Sequence, residues 1–133
     1  MSVPRFENGR RVIQNWDRVF EAAQAEPRRQ LIFSLLEAPP EASVPLPESA
    51  ISPTVPPDPT ALRQELIHCH LPQLADRGFI EWERDPLIAM RGPRFAEIGT
   101  VLATLESAAP DLPDSLVEGC QRLERKRELN QDC

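Results

Sequence analysis

A chain of 133 residues and 15.0 kDa is one domain's worth of polypeptide. Hydrophobic residues make up 41% of it and aromatics only 5%, so the one core it can build is mostly Leu, Ile, Val and Ala. With 21 carboxylates against 15 basic residues, the net charge is −6 and the pI near 5.0, which excludes a basic protein that coats nucleic acid by charge alone.

No apolar run approaches the roughly 18 residues that cross a bilayer, and no secretory core follows Met1. Cys69, Cys120 and Cys133 are sparse, odd in number and without CxxC spacing, which fits a reducing cytoplasm better than a disulfide scaffold. All basic residues but Lys126 are Arg, a usage that codon bias in a GC-rich genome or a salty cytoplasm would produce.

Residues 1–14 are polar, carry Pro4 and Gly9, and read as a loose arm. A helix is expected from Asn15, a good N-cap, with Trp16, Val19, Phe20 and Ala23 as its apolar stripe. Pro27 suits the first position of a second helix, whose Leu31, Ile32, Leu35 and Leu36 make a broad buried face; Pro39 and Pro40 stop it. Residues 39–59 hold eight prolines and read as an extended internal loop, with one turn of helix over residues 47–51.

Thr60 is placed to cap a third helix running to about Arg77, with Ile67, His70, Leu71 and Leu74 on one face and Pro72 as a bend. Gly78 supplies the left-handed residue that ends it. Two short β-prone runs, residues 79–84 and 87–91, flank an Asp85-Pro86 turn and predict a hairpin. An amphipathic helix follows to about Ala108, and Ser115 with Glu118 fits a capping box opening a last, highly charged helix. The order helix, helix, Pro-rich piece, helix, hairpin, helix, helix predicts a mostly α fold. It is a winged helix-turn-helix over residues 15–92, with a two-stranded β wing and extra C-terminal helices over residues 93–133.

Four segments carry a resemblance: Asp17-Arg-Val-Phe-Glu-Ala22, Pro27-Arg-Arg29, Leu31 to Leu36, and the string His70-Leu-Pro-x-Leu-x-Asp-x-Gly-x-Ile80. Together they resemble haloarchaeal ArsR-like winged-helix proteins, largely uncharacterised and taken to be transcriptional regulators. The resemblance implies a cytoplasmic, DNA-binding homodimer without enzymatic activity, and it favours the salty cytoplasm. The chain departs from that pattern at Ser43 to Pro53, where a helix rich in Leu, Ala and Glu is normal and at most one turn fits here.

With Ile67, His70, Leu71 and Leu74 inward, the third helix turns Arg63, Gln64, Glu65, His68 and Cys69 outward. Arg63 is suited to guanine or phosphate and Gln64 to adenine, with His68 beside them. Arg84 at the hairpin tip, and Arg91 with Arg94 at its base, are expected to clamp phosphates; Arg28 and Arg29 either touch phosphate or are solvated beside Glu26. The loop and C-terminal segment carry most of the acidity, whereas residues 61–95 balance to zero.

The Phe95, Ile98, Leu102 and Leu105 stripe has two uses. It either completes the monomer core or, as expected here, pairs with a twin across a two-fold axis. No metal is expected at His68, Cys69 and His70, because residues two apart on a helix point about 200° from each other. No Gly-rich phosphate loop, nucleophile elbow or HExxH motif is present, so neither catalysis nor a cofactor is expected. The alternative to DNA reading is a winged helix that binds protein, with the Pro-rich loop as its docking segment.

Overall fold

The computed structural model describes residues 5–131 and is mostly helical, with one small antiparallel sheet. Helix α1 (Arg5–Ala22) is one uninterrupted helix, so the loose arm expected before Asn15 is helical from residue 5; residues 1–4 lie outside the described residues. The stretch from Arg5 holds no proline, Glu7 favours the positive end of the helix dipole, and Gly9 lowers helix propensity by only about 1 kcal/mol. The core-facing side of α1 is Val19 and Ala22, whereas Trp16 and Phe20 are exposed and stack on each other with ring centroids 5.7 Å apart. The stripe expected to be buried is therefore split between two faces.

Helix α2 (Glu26–Glu37) has proline in its first turn and ends at Ala38, before Pro39. Its Leu31, Ile32 and Leu35 are fully buried and form the centre of the core. The Pro-rich connection then divides in two. Its first half is ordered into the fold: Val44, Leu46, Ala50 and Ser52 are buried, a 3₁₀ turn occupies Glu48–Ala50, and the Ser34 hydroxyl donates to Ser49 O at 2.7 Å. Its second half, residues 53–58, is exposed.

A two-residue strand β1 (Val44–Pro45), absent from the sequence expectation, joins β2 (Ile80–Glu83) and β3 (Ile88–Arg91) in a sheet of order β1-β3-β2. Val44 pairs with Ala89, and Trp82 pairs with Ala89 from the other side. Pro45 is tolerated because β1 is an edge, where a missing N–H breaks no inner ladder. Strand β1 lies against the turn-side half of β3, at Ile88 and Ala89, so the base of the ribbon, Ile80 opposite Arg91, is two-stranded.

Helix α5 (Phe95–Ser107) packs along α2 and buries Phe95, Ile98 and Leu102 in the same core. This corrects the dimer reading of that stripe: three of its four residues are spent inside the monomer, and Leu105 alone is exposed. The capping box also fails. Ser115 and Glu118 lie in and at the end of a one-turn helix α6 (Asp114–Val117), which Gly119 terminates at φ 96°.

The last helix, α7 (Gln121–Gln131), is held by arginines rather than by an apolar face. Arg122 lies over the Phe33 ring at 4.6 Å and bridges Glu37 and Glu106. Arg127 donates to Ala109 O at 3.2 Å and Leu112 O at 2.7 Å. One side of the charged tail is therefore an intramolecular clamp, while Glu124, Arg125 and Glu128 stay exposed.

The base of the ribbon depends on two glycines. Gly78 has φ 79°, and its carbonyl accepts from Arg94 N at 2.8 Å. Gly92 passes so close to this corner that a Cβ would lie 2.6 Å from Gly78 O and 2.8 Å from Ile80 N. Backbone cannot swing aside as a side chain can, so the Gly92→Ala substitution should destabilise by about 2 kcal/mol or more. Thermal unfolding by circular dichroism checks this. A melting temperature within a degree or so of wild type would show that the corner is looser than described.

Candidate nucleic-acid interface

Residues 59–76 form one continuous helical rod in three parts. Helix α3 (Pro59–Glu65) begins at Asp58, whose carboxylate accepts from Thr60 N at 3.3 Å, so the cap is Asp58 and not Thr60. A wider π turn spans Leu66–His70, with Leu71 N bonded back to Leu66 O. Helix α4 (Leu71–Asp76) follows with Pro72 in its first turn. Proline lacks an N–H and its ring crowds the carbonyl four residues back. The wide turn just upstream is the local adjustment that lets Pro72 stay inside the rod without breaking it.

Leu62, Leu66, Leu71 and Leu74 seat the rod on the core. One polar contact fixes its rotation. Arg28 is buried on α2, and its Nε donates to His70 Nδ1 at 2.9 Å. The rest of that guanidinium is shared between Glu21 O at 3.2 Å and the Cys69 sulfur at 3.7 Å. Arg28 is thus a buried strut, unavailable to phosphate. Arg29 is committed as well, to Ala23 O at 2.5 Å and Glu26 at 2.9 Å.

Because Arg28 donates to Nδ1, His70 must be neutral, with its proton on Nε2. That nitrogen lies 3.7 Å from a Glu65 carboxylate oxygen. Burial holds the His70 pKa below its ordinary 6.5, the Arg28 charge lowers it further, and Glu65 opposes both.

On the outer side of the rod, Gln64, Glu65 and His68 are exposed and Arg63 is half-buried. The side chains of Arg63, Gln64 and His68 make no hydrogen bond or ion pair among the described residues. His68 and His70 diverge, one to solvent and one to the core. Among the described residues no three His, Cys, Asp or Glu side chains come together to hold a metal ion, and Cys69 and Cys120 are free thiols. Cys133 lies outside the described residues.

The hairpin keeps one of its three expected cations. Arg84 is exposed in the turn and has no partner among the described residues. Arg91 instead donates to Leu35 O at 2.9 Å and Ala38 O at 3.3 Å, and its guanidinium lies 4.7 Å over the Phe95 ring. It neutralises the carbonyl end of α2, where a cation is favoured by the helix dipole.

Arg94 pairs with Glu97 at 3.0 Å, donates to Asn15 at 2.8 Å and packs its stem on Gly78. Both residues are braces, which removes them from the phosphate set. The ribbon also exposes Glu81, Glu83 and Asp85 around Arg84, so its tip is acidic on balance.

Sequence reasoning missed the Arg28 strut. Its signal was the position of Arg28 three and four residues before Leu31 and Ile32, on the buried face of α2, with a histidine expected inward on the rod. Comparison of the chain with protein-family models, with curated proteins and with solved structures finds no match. No helix of the described residues is long and apolar enough to cross a membrane.

The Arg28–His70 contact predicts a pH dependence. A histidine whose folded pKa is depressed contributes stability that is fully present above 6.5 and is lost as pH falls through 6.5 toward the folded value. The unfolded chain takes up that proton first, so acid favours unfolding. The melting temperature should therefore decline on acidification through pH 6.5, and the His70→Gln variant, which keeps an acceptor for Arg28 but cannot titrate, should show a shallower decline. Equal slopes for the two proteins would remove His70 as the cause.

Proposed function

We propose that the chain is a winged-helix, sequence-specific DNA-binding regulator of transcription, acting in the cytoplasm as a homodimer and without a catalytic role. One observation carries the reading. The rod of residues 59–76 stands immediately before the β2–β3 ribbon, in a sheet of order β1-β3-β2, and turns unpartnered polar side chains outward. In that plan the rod enters the major groove and the ribbon tip rests on the backbone. The 3₁₀ turn at Glu48–Ala50 stands where a longer helix would precede the rod, and burial of Ala50 anchors it.

The chemistry assigned to the face is narrow. Arg63 suits guanine, with two acceptors on its major-groove edge; Gln64 suits adenine, with one donor and one acceptor. His68 is a hydrogen-bonding neighbour for a phosphate or base, and Arg84 is a ribbon cation without a partner among the described residues. With Glu65 on the rod and three carboxylates on the ribbon, little affinity can come from charge. Base contacts and fit therefore dominate, and binding should depend weakly on salt, which suits concentrated electrolyte.

A second reading has its own support. Residues 53–58 carry Pro53, Pro56 and Pro57 with Val55 74% exposed, the form of a segment that docks a protein partner. Shortening that segment separates the two: a DNA reader keeps its binding, and a docking module loses its partner.

The Arg63→Ala, Gln64→Ala double variant tests the DNA reading. Against a duplex selected from a random library, fluorescence anisotropy should show affinity falling about ten-fold or more, at about 1–3 kcal/mol for each bidentate base contact. The circular dichroism spectrum should not change, because neither side chain makes a hydrogen bond or ion pair among the described residues. Undiminished affinity for the selected duplex would take both residues out of the reading face.

A further inference from the structure

The C-terminal segment is fastened to the body by arginines, and it does not close down on it. Helix α5 packs directly along α2, whereas α7 reaches α2 through a long side chain, Arg122, laid over Phe33 and bridged to Glu37. Between α2, α5 and the segment from Leu112 to Leu123 lies a cavity of about 460 Å³, within the size range of small-molecule sites. Its walls are mostly apolar and include Phe33, Leu102, Leu112, Leu116 and Leu123. These side chains line the space without filling it, and Leu116 stays 60% exposed.

One wall carries a polar group that has work left to do. Gln30 on α2 lines the cavity with only 9% of its surface exposed. Its amide nitrogen donates to a Glu26 carboxylate oxygen at 2.7 Å. A carboxylate oxygen accepts, so the nitrogen is the end that faces Glu26, and this fixes the amide oxygen on the opposite side. That oxygen receives no hydrogen bond among the described residues. It is not sealed in either, because every fully buried side-chain nitrogen or oxygen among the described residues has a partner. The open space beside Gln30 is the cavity. An acceptor on a nine-tenths-buried side chain therefore meets an apolar chamber, where a donor is worth more than it is in water.

The charges at the rim narrow the occupant further. Glu26 pairs with Arg29 at 2.9 Å, and Glu106 pairs with Arg122 at 3.3 Å and with Lys126 at 3.6 Å. An anionic ligand has to take a cation away from Glu26 or Glu106, and a cationic one has to take a carboxylate away from Arg29 or Arg122. A neutral molecule disturbs neither pair. We propose that the cavity is a binding site for a compact, neutral apolar alcohol or phenol, its body packed on Phe33 and the leucines and its hydroxyl donating to Gln30 Oε1. Burial of the body supplies most of the affinity, and the hydroxyl sets the orientation.

This site stands apart from the DNA reading, and its test uses no DNA. The probe is β-naphthol, set against its methyl ether, which keeps the body and loses the donor, and against β-naphthoate, which adds a charge. Isothermal titration calorimetry of the full chain should show one β-naphthol bound per chain. The ether should bind about five-fold more weakly, the effect of one hydrogen bond to a neutral acceptor, and the naphthoate more weakly still. Gln30→Leu should bring β-naphthol and the ether to equal affinity, and retained binding of the ether shows that the cavity of that variant is intact. The three-probe comparison on the unaltered chain stands whether or not the variant folds. Cys120, a half-buried free thiol in the cavity wall, reports where the probe sits. Saturating β-naphthol should slow iodoacetamide alkylation of Cys120 several-fold, read by peptide mass, and leave that of Cys69 on the rod unchanged. A chain that binds no β-naphthol would overturn the proposal. So would equal affinity for β-naphthol and its ether, tighter binding of the naphthoate, a preference for β-naphthol that survives Gln30→Leu, or protection of Cys69 in place of Cys120.

Discussion

The buried contact between Arg28 and His70 decides which way the rod of residues 59–76 faces. Leucines on two sides of the rod could seat it at a range of rotations, because dispersion and apolar burial are not directional. A hydrogen bond from a buried guanidinium has one geometry. Arg28 reaches His70 at 2.9 Å and Cys69 at 3.7 Å, so both residues are held against α2, and the surface turned outward is the one with Gln64 and His68. A buried cation with no carboxylate partner among the described residues is costly, and it persists here because its N–H groups are met by a ring nitrogen, a carbonyl and a sulfur.

The same economy of arginine recurs through the fold. Arg91 ties the inner strand to the last carbonyls of α2, Arg94 ties the start of α5 to α1, and Arg122 and Arg127 fasten the C-terminal helix. A chain with few aromatics and a small aliphatic core uses planar, many-donor side chains to lock elements that apolar area alone would leave loose. The consequence for function is subtraction. Most arginines near the proposed groove face are braces, and the cations left over are Arg63 and Arg84. The proposed reading face is correspondingly lean, and under that proposal its specificity rests on a few base contacts.

Much of the fold was legible. Pro39, Gly78 and the Asp85-Pro86 turn punctuate the chain by local backbone rules, and the ends of α2, of the rod and of the hairpin fall where those rules put them. What escaped was non-local. Strand β1 is two residues long and exists only because Ala89 and Ile88, more than forty positions later, offer it a ladder. Arg91 reads as a free cation until Leu35 O, 56 residues earlier, is placed beside it. The stripe on α1 was misassigned for a related reason. Trp16, Val19, Phe20 and Ala23 fit one helical face, but a second, wider-spaced set through Phe6 and Ile13 fits another, and apolar spacing alone does not say which face meets the core.

For the candidate site, Gln64 and His68 were placed outward and His70 inward from periodicity alone, and the structure agrees at each. The proposed groove face is most directly tested by titrating the isotopically labelled full chain with a short DNA duplex and following backbone amide shifts. The account predicts that the perturbed amides cluster at residues 60–68 and at the 84–86 turn, while those of residues 53–58 and of α7 stay fixed. Shifts confined to residues 53–58, or none at saturating duplex, would contradict it.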